Sequence, residues 1–175
     1  MGLRRSDILF SAPFFMLKIS LRKIKPTDRN YFAKWWRDKE LLKLTSGLLK
    51  HISDQEVDNY FQAILNSKKD CDFIIIANSK TIGHISLVKR RNSWHETQIV
   101  IGEKQYWGRG YGPKAVKLLM RKAKKLGISK IYLEVRPTNI RAIQAYEHCG
   151  FQKVRTKRYP QNKHLPETLR MELKN

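Results

Sequence analysis

The stretch QYWGRGYGPKAV, Gln105 to Val116, sets Gly108, Gly110 and Gly112 at alternate positions with Pro113 directly behind them. Glycine takes positive φ without strain and lets another molecule approach the backbone, because no Cβ stands in the way. Proline suits the first turn of a helix, where its missing N–H has no partner to lose. A loop of this kind feeding a helix N-terminus presents free N–H groups and the positive end of the helix dipole, which suit an anion such as a phosphate. Taken alone, the same residues also describe an ordinary glycine-rich turn.

Spacing separates the phosphate loops. A loop of the form GxxxxGK followed by Ser or Thr is excluded, since neither Gly102 nor Gly108 has a glycine five residues on. Gly110, Gly112 and Ala115 satisfy GxGxxG/A, and Glu134 ends the next strand, where a dinucleotide fold places its ribose-binding acid. That fingerprint should open directly after the first strand of a parallel sheet. Here it follows an antiparallel meander and the bulky residues Lys104 to Trp107.

Metal and disulfide chemistry find little support. His51, His84, His95, His148 and His164 show no HxxxH spacing, and Cys71 and Cys149 form no CxxC pair. No zinc site is expected, and the two isolated cysteines suit a reduced, cytoplasmic setting.

The charge is extreme: 36 Lys and Arg against 15 Asp and Glu, a net +21. It implies a polyanionic partner such as nucleic acid, the ribosome, a membrane surface or a phosphorylated ligand. Basic residues run throughout the chain, with local density at 114–130 and 153–163, so they do not form a detachable arm. With 41% hydrophobic and 10% aromatic residues the chain is no disordered tail. No helix-turn-helix, zinc-finger or RNP pattern marks a plain nucleic-acid-binding module.

The elements follow from periodicity. Residues 15–25 alternate apolar and basic side chains as a half-buried strand does. Pro26, Thr27 and Asp28 start a helix with Tyr31, Phe32, Trp35 and Trp36 on its apolar face. Ser53 and Glu56 form a capping box ahead of Val57, Tyr60, Phe61, Ile64 and Leu65 at helical spacing. CDFIIIA, a turn at 78–80, TIGHISLV and then HETQIVIG read as three antiparallel strands. After the glycine loop, Val116, Leu119, Met120 and Ala123 line one face of a helix that Gly127 ends. KIYLEV is a strand, NIRAIQAYEHCGF a helix closed by Gly150 with Phe151 behind it, and FQKVRTKR with TLRMELK a last strand pair. The 175 residues thus give one α/β domain, 16–175. Residues 1–15 are expected to be a loosely attached extension: Asp7 and Pro13 interrupt the early apolar run, which argues against a signal peptide, and Met16 is an alternative start. No segment reaches the ~20 apolar residues of a membrane span.

IGHISLV, TQIVIGEKQYWGRGYGPKAVKLLM, IYLEV and NIRAIQAYEHCGF stand in the order and spacing of the GNAT N-acetyltransferases, which the chain resembles from about Met16 to Val154. The resemblance is greatest to the branch of ribosomal-protein N-terminal and bacterial small-amine acetyltransferases. It implies an α/β (α+β) fold: a mixed, mostly antiparallel sheet with a central splayed parallel pair and helices on both faces. Trp107 stands where the general motif carries Gln or Arg, and Pro113 where relatives carry a hydroxyl that can touch phosphate.

The resemblance further implies acetyl-CoA as co-substrate, no metal, and direct transfer to an amine acceptor, a small molecule or a protein N-terminus. The backbone from Trp107 through Gly108, Arg109, Gly110 and Tyr111 to Gly112 would hold the pyrophosphate, with Arg109 and Lys114 adding charge. Ile99, Val100 and Ile101 would form the splayed strand that pairs with the pantetheine arm, and Asn139 would orient that arm. Tyr146 matches the tyrosine that protonates the departing thiolate, and it also reads as a core aromatic. Glu96 aligns with the acid presented to the acceptor, with His84 and His95 expected as strand neighbours and Glu134 as a further carboxylate. A catalytically silent domain of this shape, or a basic module binding nucleic acid or the ribosome, is the rival reading. A monomer and a homodimer fit equally.

Overall fold

Alternation of side chains makes Ile19–Lys23 a strand, β1, the observed part of the segment expected over 15–25. The structure is a computed structural model and describes residues 18–46 and 49–173. The expected extension 1–15 lies outside the described residues. Arg22 of β1 makes two hydrogen bonds, at 2.6 and 2.7 Å, to Asp28, a nearly fully buried carboxylate. That pair anchors the start of α1, Arg29–Arg37. A short helix that periodicity had not disclosed, α2 over Lys39–Leu44, follows, started by Asp38 accepting from the N–H groups of Glu40 and Leu41. At six residues it is too short to show a face. The expected capping box of Ser53 and Glu56 opens α3, Asp54–Leu65.

The meander forms as read: β2 (Cys71–Ala77), β3 (Lys80–Lys89) and β4 (His95–Ile101) pair antiparallel. Helix α4 spans Tyr111–Lys125, β5 Ile131–Val135, α5 Ile140–Glu147, β6 Phe151–Arg158 and β7 Glu167–Leu173. Gly127 follows α4 at φ +71° as expected. Helix α5, however, ends at Glu147 with His148 as C-cap, so Gly150 lies two residues past the cap, at φ +94°. Phe151 still packs behind it, its ring set edge-on to Tyr146.

The seven strands run β1-β2-β3-β4-β5-β7-β6, with β7 inserted between β5 and β6. Among the described residues only β4 and β5 pair in parallel. Two apolar layers sandwich the sheet. On one side Ile75, Ile85, Leu133 and Met171 meet Val116, Leu119 and Ala123 of α4 and Ile143 of α5. On the other, Ile74 meets Phe32, Trp35, Leu41 and Phe61 of α1 to α3. The sheet is therefore covered on both faces around its centre, as expected.

Candidate functional site

The central parallel pair holds only at its beginning: His95 lies against Ile131 and Glu96 against Tyr132, and beyond them β4 and β5 part. Strand groups point alternately to either side. The His95 N–H donates across to Lys130, on the β5 side, and the Gly102 N–H donates back to Ile82 of β3. By that alternation Ile99 and Ile101 turn their peptide groups into the gap, while those of Val100 join β3. The three residues therefore divide: Ile99, with both its peptide groups, and Ile101, with its N–H, offer an open strand edge, while Val100 packs its side chain against the layer of Phe32, Trp35 and Ile74. A gap edged by unpaired peptide groups can hold an extended chain bearing amides of its own.

The open edge leads to the glycine loop. Trp107 is not aimed outward: its indole N–H donates to the Ile101 carbonyl at 2.6 Å, tying the loop to the end of β4. The turn just before it needs glycine for space, since a Cβ at Gly102 would sit 2.0 Å from the Trp35 indole nitrogen. Gly108 and Gly110 take φ of +71° and +78°. Gly110 is the N-cap of α4, with no side chain capping the helix. Of the four N–H groups that a helix start leaves free, Pro113 lacks one, so Gly110, Tyr111 and Gly112 supply the donors. Tyr111 contributes only through its backbone, because its side chain is buried in the core edge-on to Tyr106. A Cβ at Gly108 or Gly112 would meet nothing within 4 Å, so the fold itself does not fill the space over the loop. Arg109 and Lys114 are exposed beside it. An anion is the ligand these groups suit.

Across the gap, Asn139 caps α5, its side chain accepting from the Ala142 N–H at 3.2 Å, which leaves its amide NH₂ to donate. Tyr146 is the penultimate residue of α5, half-buried against the core. Among the described residues no hydrogen bond involves its hydroxyl, and burial pushes its pKa up to about 12. Thr97, at the fork of the two strands, buries a hydroxyl that also lacks a partner.

The opposite face of the same strands is polar. Glu96 accepts from Arg90 through Nε at 2.8 Å and Nη2 at 2.6 Å, both on Oε2. Among the described residues its Oε1 accepts only from the Gln98 amide, at 3.4 Å. Neither histidine faces Glu96: Val88 lies opposite it, His84 lies opposite Val100 and bonds Asp72 at 2.8 Å, and His95, next to it in β4, turns its side chain to the other face. The four-residue separation follows from the register set by the tight turn at Arg91–Ser93. Glu134 is not a free carboxylate either. It accepts from Tyr159, Thr168 and Lys157. Burial alone would raise its pKa, but these bonds and the Lys157 charge outweigh it and hold the group below the usual range.

Residues that sequence reasoning did not single out complete this face. Arg170 of β7 lies over the Tyr132 ring at 3.6 Å and the Trp94 ring at 4.8 Å, and bonds Glu172 at 2.7 Å. Alternation along KIYLEV and TLRMELK places Tyr132, Glu134, Arg170 and Glu172 on one face, a signal present in the sequence but read there only as strand.

Comparison with known proteins adds to this geometry. A family model described as an acetyltransferase (GNAT) domain matches residues 18–152. An uncharacterized protein of Methanocaldococcus jannaschii is 24% identical over 142 residues, 79% of this chain but 29% of that protein, so the chain spans under a third of that relative's length. Among solved structures, a spermidine N-acetyltransferase from Vibrio cholerae in complex with CoA and spermine superposes with a TM-score of 0.77 at 19% identity, covering 89% of this chain and 94% of that one. An aminoglycoside acetyltransferase in complex with coenzyme A and kanamycin does so with a TM-score of 0.74 at 18% identity, with the same coverage, 89% and 94%. At these identities the superpositions establish the fold.

Proposed function

The chain belongs to the GNAT acetyltransferase family, and we propose that it is an acetyl-CoA-dependent N-acetyltransferase acting on a primary amine by direct transfer within a ternary complex. The observation that carries this reading is the meeting of two features: an open edge of β4 past Glu96, and an uncapped N-terminus of α4 where that edge leads. Pantetheine would pair with Ile99 and with the Ile101 N–H, whose carbonyl Trp107 already occupies, and the pyrophosphate would lie on the N–H groups of Gly108 to Gly112 with Arg109 and Lys114 adding charge. Asn139 would orient the arm through its free NH₂.

Transfer needs stabilisation of the tetrahedral oxyanion, a proton for the leaving thiolate, and removal of a proton from the attacking amine. A peptide N–H of the splayed edge supplies the first and Tyr146 the second. Glu96 serves the third through Oε1, directly or through water, since both Arg90 bonds fall on its other oxygen. Neither cysteine suits an acyl-enzyme, because burial raises the pKa of both Cys71 and Cys149 and so depletes the thiolate. The acceptor is a protein N-terminus or an amine on an anionic small molecule. A charge of +21 would repel a polyamine and attract such an acceptor, and it also favours contact with the ribosome or another polyanion. The setting we propose is cytoplasmic; among the described residues no helix is long and apolar enough to cross a membrane.

The test is thiol release from acetyl-CoA over a panel holding a polyamine, amino sugars, amino acids and ribosomal proteins. At least one primary amine should be acetylated, and its rate should fall with added salt if the acceptor is anionic. Coenzyme A binding with no transfer to any amine would sink the reading. In Glu96→Gln the rate should drop about 10- to 100-fold near neutral pH, at or below the low end for a general base because water can substitute. That deficit should narrow as pH rises toward the amine pKa of ~10, where the free amine no longer needs a base. A deficit constant with pH would give Glu96 a structural role.

A further inference from the structure

Arg136 directly follows β5 and belongs to none of the motifs above. Its Nη1 donates to the His164 carbonyl at 3.0 Å, in the segment joining β6 to β7. Its Nε and Nη2 are sealed from solvent and have no hydrogen-bond acceptor, and among the described residues no ion pair involves it. Leaving buried donors unpaired is costly, and a guanidinium cannot reduce the cost by losing its proton. Nε and Nη2 form one edge of the planar group, the parallel pair of donors that matches two oxygens of a carboxylate or phosphate. With Nη1 fixed on His164, that edge is the part left to bind something.

Its position says what. Glu134 and Arg136, two residues apart, reach the same segment, Glu134 through Tyr159 and Arg136 through His164. Arg136 therefore lies on the face that carries Glu96 and Tyr132, away from α4. In the register that sets Glu96 against Tyr132, it stands level with Val100, one residue past Ile99. The guanidinium thus flanks the gap near the end of β4, on the sheet face opposite α4, whose N-terminus carries the glycine loop. Glu134, the carboxylate two residues before Arg136, does not compete, since its oxygens are taken by Tyr159, Thr168 and Lys157.

We propose that Arg136 binds an oxyanion of the acceptor, a carboxylate or phosphate a few bonds from the amine, and that the segment 159–166 shifts to admit it. The proposal rests on the N-acetyltransferase reading for its acceptor but on Arg136 alone for its anion. The shift is required because both nitrogens are covered in this conformation. It exchanges one bond to a neutral carbonyl for two to a charged group, and charge-assisted bonds are the stronger.

Two measurements decide it. In ¹⁵N-labelled full-length protein, the Arg136 Nε–H resonance, identified by its loss in Arg136→Lys, is titrated with inorganic phosphate and, separately, with acetate. It should shift and saturate with at least one of them, and which one distinguishes phosphate from carboxylate. In the second, acceptors are compared in matched pairs: an α-amino acid with its amide, and an amino-sugar phosphate with the free amino sugar. Arg136→Gln should raise KM about 10- to 100-fold for the charged member only, leaving kcat/KM on the neutral member within about twofold. Equal effects on both members, or a resonance unmoved by either anion, would overturn the proposal. Failure to acetylate any amine would defeat the activity, while the titration would still decide the anion site. Arg136→Met should melt within a few degrees of wild type, since it removes an unpaired buried charge; a large loss of stability with an unmoved resonance would assign Arg136 to the fold instead.

Discussion

Tyr146→Phe should lower the rate of acetyl transfer by roughly 10²- to 10⁴-fold while leaving donor affinity within about twofold, the loss expected when a general acid is removed. The substitution keeps the ring against Phe151 and the core and deletes a hydroxyl for which no partner is described. With a pKa of about 12, the hydroxyl is a weaker acid than a tyrosine in water. Proton transfer to a thiolate of ordinary pKa ~8.5 would be uphill by about 3 to 4 units, or about 5 kcal/mol. The cost is smaller in place, because the burial that raises the tyrosine also raises a thiol beside it. The raised pKa has a second consequence, with a definite sign. Tyr146 stays protonated up to about pH 11, so the wild-type rate should show no alkaline fall between pH 8 and 10. Single-turnover rates measured across that range check both statements. A fall near pH 9 that vanishes in Tyr146→Phe would mean a lower pKa in the working site, and an unchanged rate would make Tyr146 a core residue only.

The fold was legible wherever a side-chain period ran long enough. The strands from Cys71 to Ile101 and the helix behind Ser53 were read with their caps and turns, because apolar residues at period 2 or 3.6 fix both the element and its buried face. Helix α2 was not, since a single turn and a half stabilised by the Asp38 cap carries no period. The site divides along a similar line. Roles played by the backbone were visible, as three closely spaced glycines and a proline constrain the main chain directly. Roles played by side-chain networks were not: that Arg90 takes one oxygen of Glu96, or that Tyr159 and Thr168 occupy Glu134, depends on pairings between strands far apart in sequence. Arg136 is the extreme case, conspicuous only once two of its nitrogens are seen to lack partners.

Gly110→Val should abolish measurable acetyl-CoA binding, weakening it at least ~100-fold, with the domain still folded. At φ +78° a β-branched residue is strongly disfavoured, so the loop must leave its conformation and the Gly110, Tyr111 and Gly112 N–H groups lose their common direction. Strain alone does not prove that a ligand sits there, and Gly112 separates the two causes. It lies inside the first turn of α4 without positive φ, and a Cβ there meets nothing within 4 Å, so Gly112→Ala costs the fold nothing and gains about 0.5 to 1 kcal/mol from helix propensity. If the pyrophosphate rests on this backbone, the added methyl occupies the ligand's space, and donor affinity should fall about tenfold or more in a protein that melts no lower than wild type. Calorimetric titration with acetyl-CoA beside a melting curve reads both quantities. Undiminished affinity in Gly112→Ala together with Gly110→Val would remove the anion from the N-terminus of α4, and with it the donor path along the open edge of β4.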